Sequence, residues 1–130
     1  MAHYIDTSAL VKLVISESET VALQTWFAAA ERTPVSCDLA RTELFRAVRR
    51  AAPDRVVRAR EVLDSVTLIE VTTAMFEDAG LLDPTILRTL DAVHLAAALV
   101  LGDELDGMVT YDERLAQAAL ANGIAVIAPS

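Results

Sequence analysis

Apolar positions along this chain alternate between short β-like runs and longer helical stretches. Tyr4 and Ile5 are β-formers. Thr7 and Ser8 are residue types that cap helices, and Ala9, Leu10, Val11, Leu13 and Val14 then begin an apolar helix from Ser8 to about Ile15. Ser16 to Glu19 reads as a turn, and Glu19 to Ala30 as a helix carrying Val21, Leu23, Trp26 and Phe27. Pro34 to Cys37 is a second short strand. Asp38 is placed to cap a long helix to Ala51. Pro53 opens another helix to about Leu63. Val66 to Val71 has the clearest strand composition, and Thr72 or Thr73 caps a helix to Leu82, broken by Asp83-Pro84. Asp91 begins a helix to Leu101 whose interior is apolar all round, as in a buried helix. Gly102 and Gly107 bracket an acidic loop. Met108 to Thr110 is a strand, Asp112 to Ala121 a helix, Asn122-Gly123 its C-cap and Ile124 to Ile127 a last strand. Helices alternating with strands predict an α/β fold: a mostly parallel sheet of four or five short strands covered on both faces.

A length of 130 residues fits one domain, residues 1–130. The longest nearly apolar run, Ala92 to Leu101, has ten residues, well short of the roughly 20 a membrane-spanning helix needs. No basic region followed by an apolar core marks the amino terminus as a signal sequence. Cys37 is the only cysteine, which excludes an internal disulfide and reads as an inert, part-buried thiol. The expectation is a reduced, cytoplasmic protein with no membrane role. The net charge of −8 argues at first against a nucleic-acid partner. Its distribution changes that, because seven of the 11 basic residues, all arginine, fall between Arg41 and Arg60. Arginine suits forked contacts to phosphate or carboxylate. An acidic body with one basic arm, within which Arg46, Arg49 and Arg50 are candidate contacts, suits a protein that meets RNA on one side and a basic protein segment on another.

Asp6, Asp91 and Asp112 occupy the same kind of place, the junction of a loop or strand with a helix. Each is explicable as an N-cap. Sites in parallel α/β folds also gather at this edge of the sheet. Glu43 is more informative. Ala40, Leu44, Ala47, Val48 and Ala51 form one apolar stripe, and Glu43 lies roughly 40° beyond its margin. It is placed either to lean toward the sheet edge or to pair with Arg46 at i+3. Phe45 points away from the stripe and is a candidate partner contact. Two unit charges 4 Å apart repel by about 4 kcal/mol at an effective dielectric near 20, so clustered carboxylates need a cation. Carboxylates and water suit Mg²⁺ or Mn²⁺. His94, at i+3 from Asp91, is either a group behind the site or a structural helix histidine, and His3 reads as a strand-edge residue. A haloacid-type phosphatase is excluded because Asp6-Thr7-Ser8 lacks the second aspartate. A response-regulator receiver is excluded because Lys12 is the only lysine.

The ordered set Tyr4-Ile5-Asp6-Thr7-Ser8-Ala9-Leu10, helical Glu43, Leu90-Asp91-Ala92-Val93-His94-Leu95-Ala96 and Val109-Thr110-Tyr111-Asp112 resembles the PIN-domain nuclease family, closest to the VapC-like toxins of bacterial toxin–antitoxin pairs. The resemblance runs from Tyr4 to Ile127. It implies a three-layer α/β/α sandwich with Asp6, Glu43, Asp91 and Asp112 as a catalytic, metal-binding quartet, Thr110 beside the fourth acid, and Thr7 or Ser8 after the first. It implies a Mg²⁺- or Mn²⁺-dependent endoribonuclease, with a small antitoxin whose tail covers the cleft, an indirect link to DNA through that antitoxin, and a homodimer. Phe45 and part of the Trp26-Phe27 helix are candidates for the partner contacts, with Trp26 read first as a core residue. The competing expectation is a PIN-like binding module without useful catalysis, acting only within a complex.

Overall fold

In the computed structural model, which describes residues 2–130, side chains of the first strand alternate between two cores. Strand β1 (Ala2–Ile5) sends Tyr4 to one face and Ile5 to the other, as the two-residue period of a strand requires. Its neighbours repeat the division. Tyr4 pairs in register with Met108 and Ile5 with Val109 of β4 (Leu105–Val109). With β2 (Thr33–Cys37), β3 (Thr67–Ile69) and β5 (Val126–Ile127) these make a five-stranded, wholly parallel sheet in the order β3-β2-β1-β4-β5.

Ile5 and Val109 pack into a core with Leu10 and Val14 of α1 (Thr7–Val14), Leu23 of α2 (Thr20–Ala28), Leu44 and Val48 of α3 (Leu39–Ala51), and Val62 and Leu63 of α4 (Val56–Asp64). Tyr4, Cys37 and Met108 pack against Met75 of α5 (Thr73–Gly80), Leu95, Ala97 and Ala98 of α6 (Thr89–Val100), and Leu115, Ala118 and Ala119 of α7 (Glu113–Ala121). Four helices thus cover one face and three the other, the expected α/β/α sandwich. Each fully buried Leu, Ile or Met contributes roughly 1.5–3 kcal/mol of transfer free energy. Gly107 of β4 leaves no room for a side chain: a Cβ there would stand 2.9 Å from Ile127 Cδ1 and 3.0 Å from the Ala125 carbonyl oxygen.

Several elements differ from their expected bounds for local reasons. Strand β3 spans three residues, not six, because its only neighbour is β2, whose last paired residue, Cys37, faces Ile69. Helix α6 starts at Thr89, with Ala92 N–H donating to the Arg88 carbonyl, so Asp91 lies inside the first turn and does not open the helix. Asp38 precedes α3 without capping it; its carboxylate takes Arg41 Nε at 2.9 Å instead. Strand β4 begins inside the expected acidic loop, at Leu105. Among the described residues, no helix is long and apolar enough to cross a membrane.

The strand order fixes where a site can form. From β1 the chain moves outward through β2 to β3, then returns by α5 and α6 to β4 on the other side of β1. The direction of winding reverses between β1 and β4, and the carboxyl ends of two such strands leave a crevice. Asp6 follows β1 there and Thr110 follows β4, joined by Asp6 N–H donating to the Val109 carbonyl at 3.0 Å.

Candidate active site

Asp6 is buried at this crevice and one of its oxygens is fully engaged. Oδ2 accepts from Ser8 Oγ at 2.7 Å, from the Ser8 backbone N–H at 3.3 Å and from Thr110 Oγ1 at 3.0 Å. The same hydroxyls brace the second strand end: Ser8 Oγ accepts from Tyr111 N–H at 2.9 Å, and Thr110 Oγ1 accepts from Asp112 N–H at 3.1 Å. Capping of α1 therefore accounts for one of three donors, and the other two are hydroxyls directed at the carboxylate. Oδ1 meets no hydrogen-bond donor among the described residues; the only charged neighbour recorded for it is His94 Nε2, 3.9 Å away.

Glu43 reaches the same place from α3. Its Oε1 accepts from Thr7 Oγ1 at 2.7 Å and from His94 Nε2, so Glu43 turns toward the sheet edge and not to Arg46. His94 is 1% exposed, on the apolar helix α6, and Tyr4 Oη lies 2.7 Å from its Nδ1. Burial opposes a charge on this imidazole. The Cys37 and Glu43 contacts and the Asp6 charge outweigh burial and raise its pKa to about 10. Nε2 of the ring faces Glu43 Oε1 and Nδ1 faces Tyr4 Oη. In return, although burial disfavours the Glu43 carboxylate, His94 and Thr7 hold its pKa below the usual value.

The outer two acids are organised differently. Asp91 Oδ2 accepts from Arg88 Nε at 3.1 Å, and Asp112 Oδ2 accepts from Arg88 Nη2 at 3.0 Å. The other oxygen of Asp112 caps α7, accepting from the Arg114 and Leu115 N–H groups at 2.9 and 3.0 Å. The pKa of Asp91 is raised, first by burial and then by the Asp112 charge, with Arg88 opposing and Asp6 adding to the rise. Glu43, Arg88, Thr89, Leu90 and Asp91 line one cleft of about 310 Å³.

The structure thus brings the four acids to one edge as two pairs. Among the described residues no three His, Cys, Asp or Glu side chains stand close enough together to share one ion. By donor type, however, the set suits a hard divalent cation. Asp6 Oδ1, Glu43 Oε2 and Asp91 Oδ1 meet no hydrogen-bond donor among the described residues, and burial first, then the Asp112 charge, raises the Asp91 pKa.

The basic arm divides by function. Arg55 and Arg58 donate to the Val14 and Leu13 carbonyls at 3.1 and 3.3 Å, closing the end of α1. Arg60 lies over the Phe45 ring, 4.9 Å from its centroid, and Phe45 is half-buried against the core. Trp26 is likewise half-buried, edge-on to His3 and under Arg32. Phe45 is thus not the exposed apolar contact expected from the sequence, while Trp26 takes the core reading. The exposed large apolar residues are Val21 of α2, Val57 of α4, and Phe76, Leu81, Ile86, Leu90, Val100 and Leu120. Arg46, Arg49 and Arg50 are exposed and line a shallow cavity of about 260 Å³. Sequence reasoning missed Arg88. The available signal was a cation at the start of a helix, where the dipole disfavours it, three residues before an acid.

The fold and the sequence have close counterparts. The PIN domain model matches residues 3–121. The chain belongs to the PIN-domain family, in its VapC branch. It is 41% identical over 130 residues to Ribonuclease VapC47 of Mycobacterium tuberculosis (strain CDC 1551 / Oshkosh), covering 97% of this chain and 96% of that protein. It is 43% identical over 130 residues to Ribonuclease VapC46 of strain ATCC 25618 / H37Rv, covering 99% and 98%. In fold it resembles M. tuberculosis VapC20, described as a sarcin-ricin loop cleaving toxin, with a TM-score of 0.79, 17% identity and coverage of 98% and 99%. It also resembles VapBC2 from Rickettsia felis, solved bound to a promoter DNA fragment, with a TM-score of 0.70, 13% identity and coverage of 100% of each chain. The family resemblance read from the sequence is borne out.

Proposed function

We propose that the protein is a metal-dependent endoribonuclease acting as the toxin of a toxin–antitoxin pair. One observation carries this reading: carboxylates from four distant segments line the β1–β4 crevice as two pairs, with one oxygen each of Asp6, Glu43 and Asp91 left without a donor. The ribonuclease names of relatives at 41% and 43% identity support it.

Asp6, Glu43 and Asp91 would hold Mg²⁺ or Mn²⁺, with Asp112 at the margin. When bound, such an ion lowers the pKa of a coordinated water and offsets charge on the scissile phosphate. The chain's own contribution is geometry. Ser8 and Thr110 fix the Asp6 carboxylate in one orientation, and Thr7 and His94 do the same for Glu43, whose outer oxygen would orient the attacking water. Arg46, Arg49 and Arg50 would hold the RNA backbone, giving a salt-sensitive contact. RNA cleavage by the wild type should vanish with a chelator and with Asp6→Asn or Asp91→Asn. Full cleavage by either variant would refute the assignment.

The failure of any three acids to converge favours a second reading, a binding module without catalysis. A calorimetric titration that detects no Mn²⁺ binding would support it over the first.

The proposed setting is the cytoplasm, in one domain, with three partners. RNA is the substrate. A small antitoxin would cover the acidic cleft with a basic side chain, and would supply any link to DNA; the VapBC2 neighbour supports that pairing. The third partner is a second copy of the chain, meeting it over the exposed apolar residues of α5, the α5–α6 loop and α6. A monomer at micromolar concentration would refute the dimer.

A further inference from the structure

Arg88 is the only arginine or lysine between Arg60 and Arg114, and it stands where a cation is least expected. It immediately precedes α6, a helix of 12 residues whose N-terminal dipole repels positive charge. Its side chain makes no capping bond. Nor is it held by burial, since the side chain is 60% exposed. What holds it is two acids from different elements: Nε on Asp91 and Nη2 on Asp112, across 24 residues of chain. The guanidinium thus closes the outer half of the acidic crevice and forms one wall of the cleft shared with Glu43 and Asp91.

Such a contact is easily exchanged. Exposed ion pairs are weak because water screens them and ordering the side chain costs entropy. Guanidinium is also the side-chain group best matched to a phosphate, through its planar fork of N–H donors. We propose that Arg88 is the phosphate-positioning residue of this cleft, stored on Asp91 and Asp112 while the cleft holds neither divalent cation nor RNA. The assignment rests on the nuclease reading above. Asp91, once engaged with a divalent cation, would no longer retain Arg88, and the guanidinium, carried on the residue that precedes α6, would be free to face the RNA backbone at the cleft mouth. Arg88 therefore competes with the metal in the empty protein and assists the substrate in the loaded one.

These two roles predict opposite responses to one substitution. Arg88→Met keeps the length of the stem and removes the charge. Mn²⁺ binding to the RNA-free protein, followed by calorimetry, should become about five- to tenfold tighter, since a resident counter-cation is gone. Binding of a short fluorescein-labelled 2′-O-methyl RNA, in Mn²⁺ at levels saturating each protein, should weaken by about tenfold. The slope of its affinity against salt should fall by about one. Arg88→Lys keeps the charge but loses the fork, and should restore the wild-type Mn²⁺ affinity while recovering RNA affinity only in part. A purely structural role would not separate the two readouts in this way. If the wild type binds Mn²⁺ and Arg88→Met binds it equally or more weakly, or if RNA affinity is unchanged, the assignment of Arg88 fails while the nuclease reading stands. If the wild type binds no Mn²⁺, both fail together.

Discussion

The acidic crevice contains two pairs of carboxylates with the same chemistry and opposite support. Asp6 and Glu43 form the inner pair. Their partners are Ser8, Thr7, Thr110 and His94, and both Thr110 and His94 are about 1% exposed. Asp91 and Asp112 form the outer pair, joined through one exposed arginine. The inner supports are short, directional and shielded from water, so they fix geometry. The outer support is a screened charge contact, so it balances charge and yields to a competitor.

Asp6→Asn is expected to show the largest effect, reducing cleavage on the order of a thousandfold, because the free oxygen of the braced inner acid is lost. Asp112→Asn should cost only about tenfold, since that side chain already spends both oxygens on Arg88 and on the α7 cap. Equal losses would erase the distinction between the pairs.

Stability separates them next. His94→Leu should lower the unfolding free energy by about 3–5 kcal/mol in urea titration, because it leaves Glu43 beside a buried site without its partner. Arg88→Met should leave the midpoint within experimental scatter. The inner pair also sets a pH dependence in the metal-free protein. The His94 pKa rises from 6.5 to about 10 on folding. Above pH 6.5 the unfolded chain loses this proton first, so the native state binds more protons and stability falls as pH rises toward 10. The difference between wild type and His94→Leu should therefore be full below pH 6.5 and shrink up to pH 10. A difference that grows over this window contradicts the assignment.

Thr110→Val tests the bracing hydroxyl alone. It should reduce Mn²⁺ affinity by about 10–100-fold with little change in fold. The smallest effect is expected furthest from the acids. Arg49→Ala and Arg50→Ala should each reduce the salt slope of RNA binding by about one, without touching Mn²⁺ affinity. Arg55→Ala should instead destabilise the protein, since Arg55 is spent on the end of α1.

The sequence carried the sheet, its two helical layers and the positions of all four acids, because those follow from local patterns: a β-run before Asp6, a stripe beside Glu43, a strand before Asp112. What it did not carry lies in contacts between distant segments. Nothing local says that Thr7 meets Glu43 across 36 residues, or that His94 sits between Glu43 and Tyr4. Asp91 was legible as an acid near a helix start, but not that Arg88 would take its Oδ2. The position of Phe45 on α3 points it away from the apolar stripe, but Arg60 of α4 lies over its ring and half-buries it. The seven arginines of the arm looked alike in sequence, and only the packed helices divide them: Arg55 and Arg58 close α1, Arg60 covers Phe45, Arg41 pairs with Asp38, and Arg46, Arg49 and Arg50 face outward.

Calorimetric Mn²⁺ titration of the wild type beside Asp6→Asn and Asp112→Asn tests the division between the pairs most directly. The account predicts measurable binding by the wild type, none by Asp6→Asn, and binding by Asp112→Asn within about tenfold of wild type. Unchanged binding by Asp6→Asn, or losses of equal size in the two variants, would contradict it.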